Sequence, residues 1–478
     1  MPDTYAPQPA SEAELPPAPL SVIIGLLLVG NILVNFLQGL GVGGVTPLLA
    51  DVFFIAVLVL FAPRVRGSRH VFLAVLILLT GYCLLVLPDP MRVLGPALAQ
   101  GSFIMAFFCA LASLEHVAKR SAAISRAAAF IANQPPGRRY LALGFGTQVF
   151  ALMLSYGALS LLGTMARRSA EREPVPEVRA LRIRRMLQGA QCGFSASLCW
   201  SPLAFATVLT SALVPGANIN SVVLHGLGSA LIIVVAGWLL DRRLKGSLPA
   251  GTVIAPPDRT AARDVRALWP LLWLLASVAI PAVLLDVIWG IQPARAVLGL
   301  VPLIAGCWVM IEARRGARLS DLALRSRSFG FGDLPGYKGE IVLLSTAGFI
   351  GSAAGALLAG AIAAAGVDLG AVPARLLLVL PILLVPLAGQ AGLNPILFVS
   401  LFAQLLPSPA EMGVTPISLV LALTSGWALT APTSPFTASV MIISRLGGVT
   451  PKEVAFKWNG PFVACAALAL AIWVQLLA

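Results

Sequence analysis

Residues 193–202 read GFSASLCWSP and residues 426–435 read GWALTAPTSP, so a short pattern occurs twice, 233 residues apart. The aligned positions are Gly193 with Gly426, Ser197 with Thr430, and Ser201-Pro202 with Ser434-Pro435. Both copies are small and hydroxyl-rich, are interrupted by proline and lie inside long apolar stretches. Hydrophobic helices that are broken at corresponding positions in two halves of a membrane protein indicate a transporter's binding site. The alternative is a chance match between two stretches rich in Ala, Ser and Pro.

The composition is that of a membrane protein. Of the 478 residues, 58% are hydrophobic and only 11% are charged, whereas soluble proteins average about 25% charged residues. Apolar runs of about 20 residues, each long enough to cross a bilayer, recur from Leu20 to the C-terminus. We therefore predict an all-α polytopic protein whose partner is the lipid bilayer. The net charge of +13 lies mainly in short loops, as the positive-inside rule requires, so we expect no nucleic-acid partner.

Motifs for catalysis or metal binding are missing from the sequence. It contains no HExxH, no GxSxG and no cluster of carboxylates or histidines, so we predict that the protein is not an enzyme. The six cysteines are scattered through apolar stretches and are interpreted as reduced packing residues. We expect no cofactor and no metal, apart from Na⁺ as a coupling ion.

The hydropathy pattern predicts eleven membrane-spanning helices. They lie near residues 20–40, 44–62, 71–88, 93–113, 187–214, 220–240, 267–289, 294–311, 341–366, 415–444 and 459–477. The spans at 187–214 and 415–444 contain the repeated pattern and are predicted to be broken helices. Two polar, basic segments, 114–139 and 313–338, are too charged to span and are interpreted as amphipathic helices along the membrane surface, or as a solvated loop over 326–338.

The apolar segment 140–163 has basic residues on both sides. Five lie before it and seven after it: Lys119, Arg120, Arg126, Arg138, Arg139, and then Arg167, Arg168, Arg172, Arg179, Arg182, Arg184 and Arg185. A single crossing would translocate one of these clusters, against the insertion bias. We therefore predict a re-entrant hairpin on the cytoplasmic side, with its turn at Gly144 and Gly146, because glycine permits a tight turn.

The segment 374–407 has few charges around it and is predicted to be a hairpin from the opposite face. Its centre reads AGQAGLNP over residues 388–395, which is typical of a turn. With both hairpins, the N-terminus is cytoplasmic and the C-terminus periplasmic. Only Arg92, Arg295 and Arg375, of 33 Lys and Arg residues, then fall outside. The expected location is a cell membrane, the bacterial inner membrane.

These elements divide the chain into two halves of inverted topology. The predicted organisation is a cytosolic tail (1–19), a first membrane helix (20–43), a first repeat (44–240), a cytoplasmic linker (241–266) and a second repeat (267–478). Each repeat contains scaffold helices, one hairpin and one broken helix. Irregular backbone at membrane depth is tolerated only where protein or a wet cavity covers it, so opposed hairpins predict a buried site between them.

This order of hairpin and broken helix resembles the ion transporter superfamily, and is closest to the divalent-anion/sodium symporters that carry dicarboxylates, citrate or sulfate. Those proteins have Ser-Asn-Thr at each hairpin tip and a broken helix reading roughly Gly-Thr-Pro-Pro-Asn. The corresponding stretches here are Phe145-Gly146-Thr147, Leu393-Asn394-Pro395, Cys199-Trp200-Ser201-Pro202 and Pro432-Thr433-Ser434-Pro435. The tips keep one Thr and one Asn, and each broken helix keeps one proline. The resemblance implies an elevator mechanism and a homodimer.

The residues expected to line the site carry no charge. The predicted substrate-binding residues are Thr147, Gln148, Ser197, Ser201, Pro202, Asn394, Thr433, Ser434 and Pro435. The predicted cation-binding residues are Gly146, Ser195, Gly392, Asn394 and Thr430. Half-helix N-termini suit an oxyanion, and unwound carbonyls suit Na⁺. The alternative for each hydroxyl is a packing role or a bond to its own helix backbone.

The sequence therefore predicts a secondary active transporter of a small anion, a carboxylate or similar oxyanion, coupled to Na⁺ or H⁺. The alternatives are a transporter of the same fold for a neutral or amphipathic metabolite, and an exporter.

Overall fold

The computed structural model describes residues 19–135, 138–243, 265–313, 316–366 and 369–478. Over these ranges the regular structure is entirely helical, as predicted. The first half contains α1 (Pro19–Gly39), α2 (Thr46–Phe61), α3 (Ser68–Val86), α4 (Met91–Arg120), α5 (Ala122–Ala132), α6 (Arg139–Leu154), α7 (Tyr156–Glu171), α8 (Pro176–Trp200), α9 (Phe205–Leu213) and α10 (Ile219–Arg243). Nearly all of the predicted tail and most of the predicted linker lie outside the described residues.

The second half has the same kinds of elements. It contains α11 (Trp269–Trp289), α12 (Pro293–Glu312), α13 (Arg318–Ser328), α14 (Leu334–Gly336), α15 (Lys338–Ala364), α16 (Ala374–Gln390), α17 (Pro395–Leu405), α18 (Pro409–Met412), α19 (Pro416–Thr433), α20 (Ala438–Gly447) and α21 (Gly460–Leu476). Two π-helical turns, Phe329–Asp333 and Glu453–Trp458, precede α14 and α21.

Ten helical segments of the described chain are long and apolar enough to cross a membrane. They are α1, α2, α3, α4, α8 with α9, α10, α11, α12, α15, and α19 with α20. The 17-residue α21 is also within the length range of a spanning helix. The protein is therefore a multi-pass, all-helical membrane protein, which confirms the predicted fold class.

The pair α6 and α7 forms a hairpin against α8. Along α6, Gly144 packs on Gly193 so closely that a methyl group on Gly193 would overlap the Gly144 carbonyl oxygen. On α7, the ring of Tyr156 lies 5.0 Å from that of Phe194. Close packing of this kind requires glycine, because any side chain would separate the two backbones.

The turn of this hairpin is not where the sequence analysis placed it. The chain reverses at Ser155, which has a φ of +46°, whereas Gly144 and Gly146 lie inside α6. Gly144 lets α8 approach, and Gly146 makes room for the side chain of Ile131. The prediction was wrong because these glycines serve helix packing rather than a turn.

The second hairpin, α16 and α17, packs against α19 in the same way. A methyl group on Gly426 would overlap the carbonyl oxygen of Pro381, just as one on Gly193 would overlap that of Gly144. The turn at residues 391–394 includes Gly392, whose φ of +86° favours glycine. The repeated glycine of the sequence pattern thus has one physical role in both halves, which is contact between broken helix and hairpin.

Helices α8 and α19 cross where Ser195 donates a hydrogen bond to the carbonyl oxygen of Ala428. These two residues are separated by 233 positions, the same offset as the repeated pattern. Residues related by an approximate two-fold axis can touch each other only near that axis. The crossing is therefore the centre of the inverted repeat, and the two breaks lie six residues beyond it on either helix.

Three further predictions concern where helices begin and end. The broken helix of the first half begins at Pro176 rather than near residue 187. Its basic first turns contact α10, because Arg185 forms a bidentate ion pair with Asp241, with both hydrogen bonds 2.6 Å long. Within the segment 114–139, residues 114–120 continue α4 and residues 122–132 form α5, which buries Ile124 in the core; its position along the membrane surface stays a prediction. Residues 326–338 are helical rather than a loop, except for one turn residue.

Candidate functional site at two helix breaks

The break between α8 and α9 is closed by hydrogen bonds around Ser201. Its N–H donates to the Ser197 carbonyl over 3.0 Å, and its Oγ accepts from the N–H of Leu203 over 3.2 Å. Across the break, the Thr207 hydroxyl donates to the Leu198 carbonyl over 3.1 Å. These bonds satisfy backbone groups that the interrupted helix would otherwise leave unpaired.

The break between α19 and α20 repeats this arrangement around Ser434. Its N–H donates to the Thr430 carbonyl over 3.0 Å, and its Oγ accepts from the N–H of Phe436 over 3.3 Å. The Ser439 hydroxyl crosses this break to the Ala431 carbonyl over 2.6 Å. Ala431 is the repeat equivalent of Leu198. Two breaks with the same bonding are built features of the fold rather than accidents of packing.

Each break is tied to its own hairpin by a different contact. In the first half, the indole N–H of Trp200 donates to Gln148 Oε1 over 2.7 Å. In the second half, the Ser434 hydroxyl donates to the Gly389 carbonyl over 2.6 Å. The structure therefore brings Gln148 and Ser434 into contacts between broken helix and hairpin.

Three of the predicted hydroxyls donate to the backbone of their own helix. Ser197 donates to the Phe194 carbonyl over 2.7 Å, Thr430 to that of Gly426 over 2.8 Å, and Thr433 to that of Leu429 over 2.6 Å. A bond to the backbone of the same helix is the alternative that the sequence left open to a role in solute binding. By contrast, the Thr147 hydroxyl is fully buried and has no hydrogen-bond partner among the described residues.

Asn394 is the N-cap of α17. Its side-chain oxygen accepts from the N–H of Ile396 over 2.8 Å, which directs the oxygen into the helix and not toward a solute. The side chain is half-buried beside the exposed Gly392. Asn394 therefore contributes its amide N–H group to the surroundings of the turn, while its oxygen has a structural role.

The predicted residues fall on both helix breaks, both hairpins and the crossing between α8 and α19. Ser195 lies at the crossing; the first-half group is Gly146, Thr147, Gln148, Ser197, Ser201 and Pro202, and the second-half group is Gly392, Asn394, Thr430, Thr433, Ser434 and Pro435. None of them lines either of two cavities, of about 380 and 510 Å³, near the end of α4. Within the described ranges, no three His, Cys, Asp or Glu residues lie close enough to hold a metal ion.

A buried polar cluster that the sequence analysis missed supports the second break. Asn459 is fully buried, and its Nδ2 donates to the Pro432 carbonyl over 3.1 Å and to Gln191 Oε1 over 2.8 Å. Asn459 Oδ1 and Gln191 Nε2 are buried and have no hydrogen-bond partner in the part of the chain that the structure describes. The only sequence signal was an Asn at the start of an apolar span, directly after what proves to be a π-helical turn, a feature frequent at functional sites.

No protein-family model and no curated protein matches this chain. Two solved structures share its architecture over most of their length. The YdaH transporter of Alcanivorax borkumensis, whose crystal structure has an unusual topology, gives a TM-score of 0.56 at 16% identity, and the likeness covers 86% of this chain and 99% of YdaH. MtrF of Neisseria gonorrhoeae, which represents a class of antimetabolite efflux pumps, gives 0.54 at 13% identity, covering 87% and 96%.

This chain has the fold of those two transporters. At such identities the likeness establishes the fold and not the substrate. The structures that it resembles are transporters rather than enzymes, and neither is described as a divalent-anion/sodium symporter.

Proposed function

We propose that this protein is a secondary transporter whose solute path includes the two helix breaks. The observation that carries the proposal is the same set of hydrogen bonds around Ser201 and Ser434 in two halves of a chain that has a transporter fold. Broken helices in inverted repeats place backbone groups at membrane depth, where transporters bind solutes and coupling ions.

A small anion, a carboxylate or similar oxyanion, is the proposed substrate. Four helices begin directly after a break or a hairpin turn, and two of them are capped by their N-cap side chains: α17 by Asn394 and α20 by Thr437. Helix α7 follows Ser155 at the hairpin turn, and helix α9 begins at Phe205 after Ala204; neither has a side-chain cap. Of the two helices that follow a break, α9 is therefore the one whose first N–H groups and positive dipole end no side chain caps, and we propose these groups for the oxyanion.

Coupling to Na⁺ or H⁺ and an elevator movement complete the proposal. In this scheme the hairpins and broken helices move together against the remaining helices, and the protein is a homodimer. The resemblance to divalent-anion/sodium symporters supports these points, as does the packing of each hairpin on its own broken helix. The oxygens proposed for the cation are those of Ser195, Thr430 and the turn at Gly392.

Export is the second candidate function. It is favoured by the fold shared with MtrF, an efflux pump, and it requires no change in the proposed site. A neutral or amphipathic metabolite is the corresponding alternative for the substrate.

A ligand screen by thermal unfolding tests the substrate class. The purified protein is heated with di- and tricarboxylates, sulfate, sulfonates and neutral metabolites, each with and without Na⁺. A ligand that binds only the folded state raises the unfolding midpoint by mass action. We expect a carboxylate to raise it, and more so with Na⁺. A rise with neutral solutes alone would contradict an anion substrate.

Substitutions then test the site. Ser201→Ala and Asn394→Ala should each abolish the ligand-dependent rise while leaving a folded protein. Ser277→Ala is the matched control, because Ser277 bonds only to the Leu274 carbonyl of its own helix, α11. A full rise in both site variants would contradict the site assignment.

A further inference from the structure

An elongated cavity of about 380 Å³ lies between α1, α4, α12 and α13, outside the two breaks. Its wall on α12 runs from Leu298 to Val309, which is about 16 Å along a helix. On α1, Phe36 packs over Gly299 and lines the end of the cavity near the start of α12. The volume is within the range of small-ligand sites, and the walls on α1 and α12 are entirely apolar.

The polar groups of this cavity gather at its other end. Helices α4 and α12 run parallel, since Phe103 near the middle of α4 lies against Arg295 at the start of α12, and Ser121 at the end of α4 bonds to Glu312 at the end of α12. This alignment puts His116 level with the Val309 end of α12. The ring of Phe329 lies 5.4 Å from that of His116. Because Arg325 lies one helical turn before Phe329, it lines the same end of the cavity. The cavity is therefore amphipathic along its length.

Arg325 and His116 differ in how their polar atoms are satisfied. His116 bonds to Asp333 through one ring nitrogen and lies 3.1 Å from Arg120 through the other. Arg325 Nη1 is buried and has no hydrogen-bond partner in the described part of the chain. A buried guanidinium N–H without an acceptor is costly, and its preferred partner is a carboxylate. The Asp333 carboxylate bonds to His116, and no described group accepts from Arg325 Nη1, so a ligand in the cavity can supply that acceptor.

We propose that this cavity binds a single-chain amphipathic carboxylate, with its carboxylate on Arg325 and its alkyl chain between α1 and α12. A volume of about 380 Å³ suits one alkyl chain better than the two chains of a phospholipid. Apolar walls bind the chain by removing it from water, and the unpaired guanidinium selects a carboxylate head group over an alcohol. This site contains none of the residues assigned to the solute path, and it does not depend on the proposed function.

Binding of dodecanoate to the purified full-length protein tests the proposal. The protein is held in a non-ionic detergent, and bound ligands are counted by native mass spectrometry during titration with dodecanoate or dodecanol. Wild-type protein should bind one dodecanoate, and dodecanol at least tenfold more weakly. Arg325→Gln should weaken dodecanoate binding by roughly tenfold, because it removes a charge-assisted hydrogen bond. Arg327→Gln, an exposed position on the same helix that does not line the cavity, should bind as wild type does.

A second variant fills part of the cavity and leaves the charge of Arg325 unchanged. Gly306 lines the cavity, and the only atom near a methyl group placed there is the end of the Leu322 side chain, at 3.5 Å. Gly306→Leu should therefore fold, which its unfolding midpoint without ligand checks, and should lose dodecanoate binding with Arg325 intact. Equal binding of dodecanoate and dodecanol, or unchanged binding in both variants, would overturn the proposal. A phospholipid that copurifies with wild type, is lost from Arg325→Gln and is not displaced by dodecanoate would also overturn it.

Discussion

The two helix breaks have the same backbone hydrogen bonds but different supports. The second is held by Ser434 on the Gly389 carbonyl and by Asn459 on the Pro432 carbonyl, and the helix after it is capped by Thr437. In the first, Trp200 bonds to Gln148, and the helix after the break, α9, follows Ala204 without a side-chain cap. The repeat thus supplies one geometry twice, but the second break has more side-chain hydrogen bonds to its surroundings, and the first leaves the N–H groups at the start of α9 without a side-chain cap.

The largest expected effect concerns the close glycine contact between broken helix and hairpin, which the two halves share. Gly193→Ala and Gly426→Ala each place a methyl group against a hairpin carbonyl oxygen, so each should destabilise the protein by about 2–3 kcal/mol. The unfolding midpoints of the purified variants measure this. Gly81→Ala is the control, because it lies within α3 with open space around it and should not lower the midpoint. A large loss in only one of the two Gly variants would show that the packing of the halves is not equivalent.

The second-largest expected effect concerns the hydrogen bonds of Asn459, which support the break in the second half. Asn459→Leu leaves the Pro432 carbonyl and Gln191 Oε1 without their donor, which should cost about 2 kcal/mol. Thermal unfolding provides the measurement. Asn133→Leu removes a half-buried amide that bonds only to the Ala129 carbonyl of its own helix, and should cost less. An Asn459 variant as stable as wild type would mean that this cluster does not support the break.

Ser434→Ala and Ser201→Ala compare the same position in the two breaks. Ser434 loses an accepted and a donated bond, and Ser201 loses only an accepted one. We expect losses of about 2 and about 1 kcal/mol, respectively. The order of the two unfolding midpoints is the test, and a reversed order would contradict the stronger support assigned to the second break.

The smallest expected effect comes from exchanging the N-cap residues of the two helices that follow the breaks, α9 and α20. Ala204 and Thr437 are equivalent in the repeat, so Ala204→Thr adds a cap to α9 and Thr437→Ala removes one from α20. Each change should shift stability by about 1 kcal/mol, upward for the first and downward for the second. Shifts of the same sign would mean that the N-terminus of α9 is already satisfied.

The sequence predicted the fold correctly where a local pattern of residues determines the local structure. Repeated Gly, Ser and Pro predicted both breaks, because proline interrupts the helix and serine accepts the freed N–H at the same place. Length and hydropathy predicted the spans. The turn at Ser155 was missed because glycine serves both turns and close helix packing, and the sequence does not distinguish the two. Asn459 meets Gln191 from 268 positions away, and the cavity at Arg325 requires four helices, so neither follows from local patterns.

Solute flux in proteoliposomes tests the central claim, that the break before α9 binds the transported anion. Wild-type protein and Ala204→Thr are reconstituted in parallel, and flux of the carboxylates, sulfate and neutral metabolites is measured in both directions with and without a Na⁺ gradient. We predict an anion flux in wild type that falls at least tenfold in Ala204→Thr, although this variant is the more stable, because the threonine occupies the N–H groups that the anion needs. Equal anion flux in the two proteins, or flux of neutral solutes alone, would contradict the account.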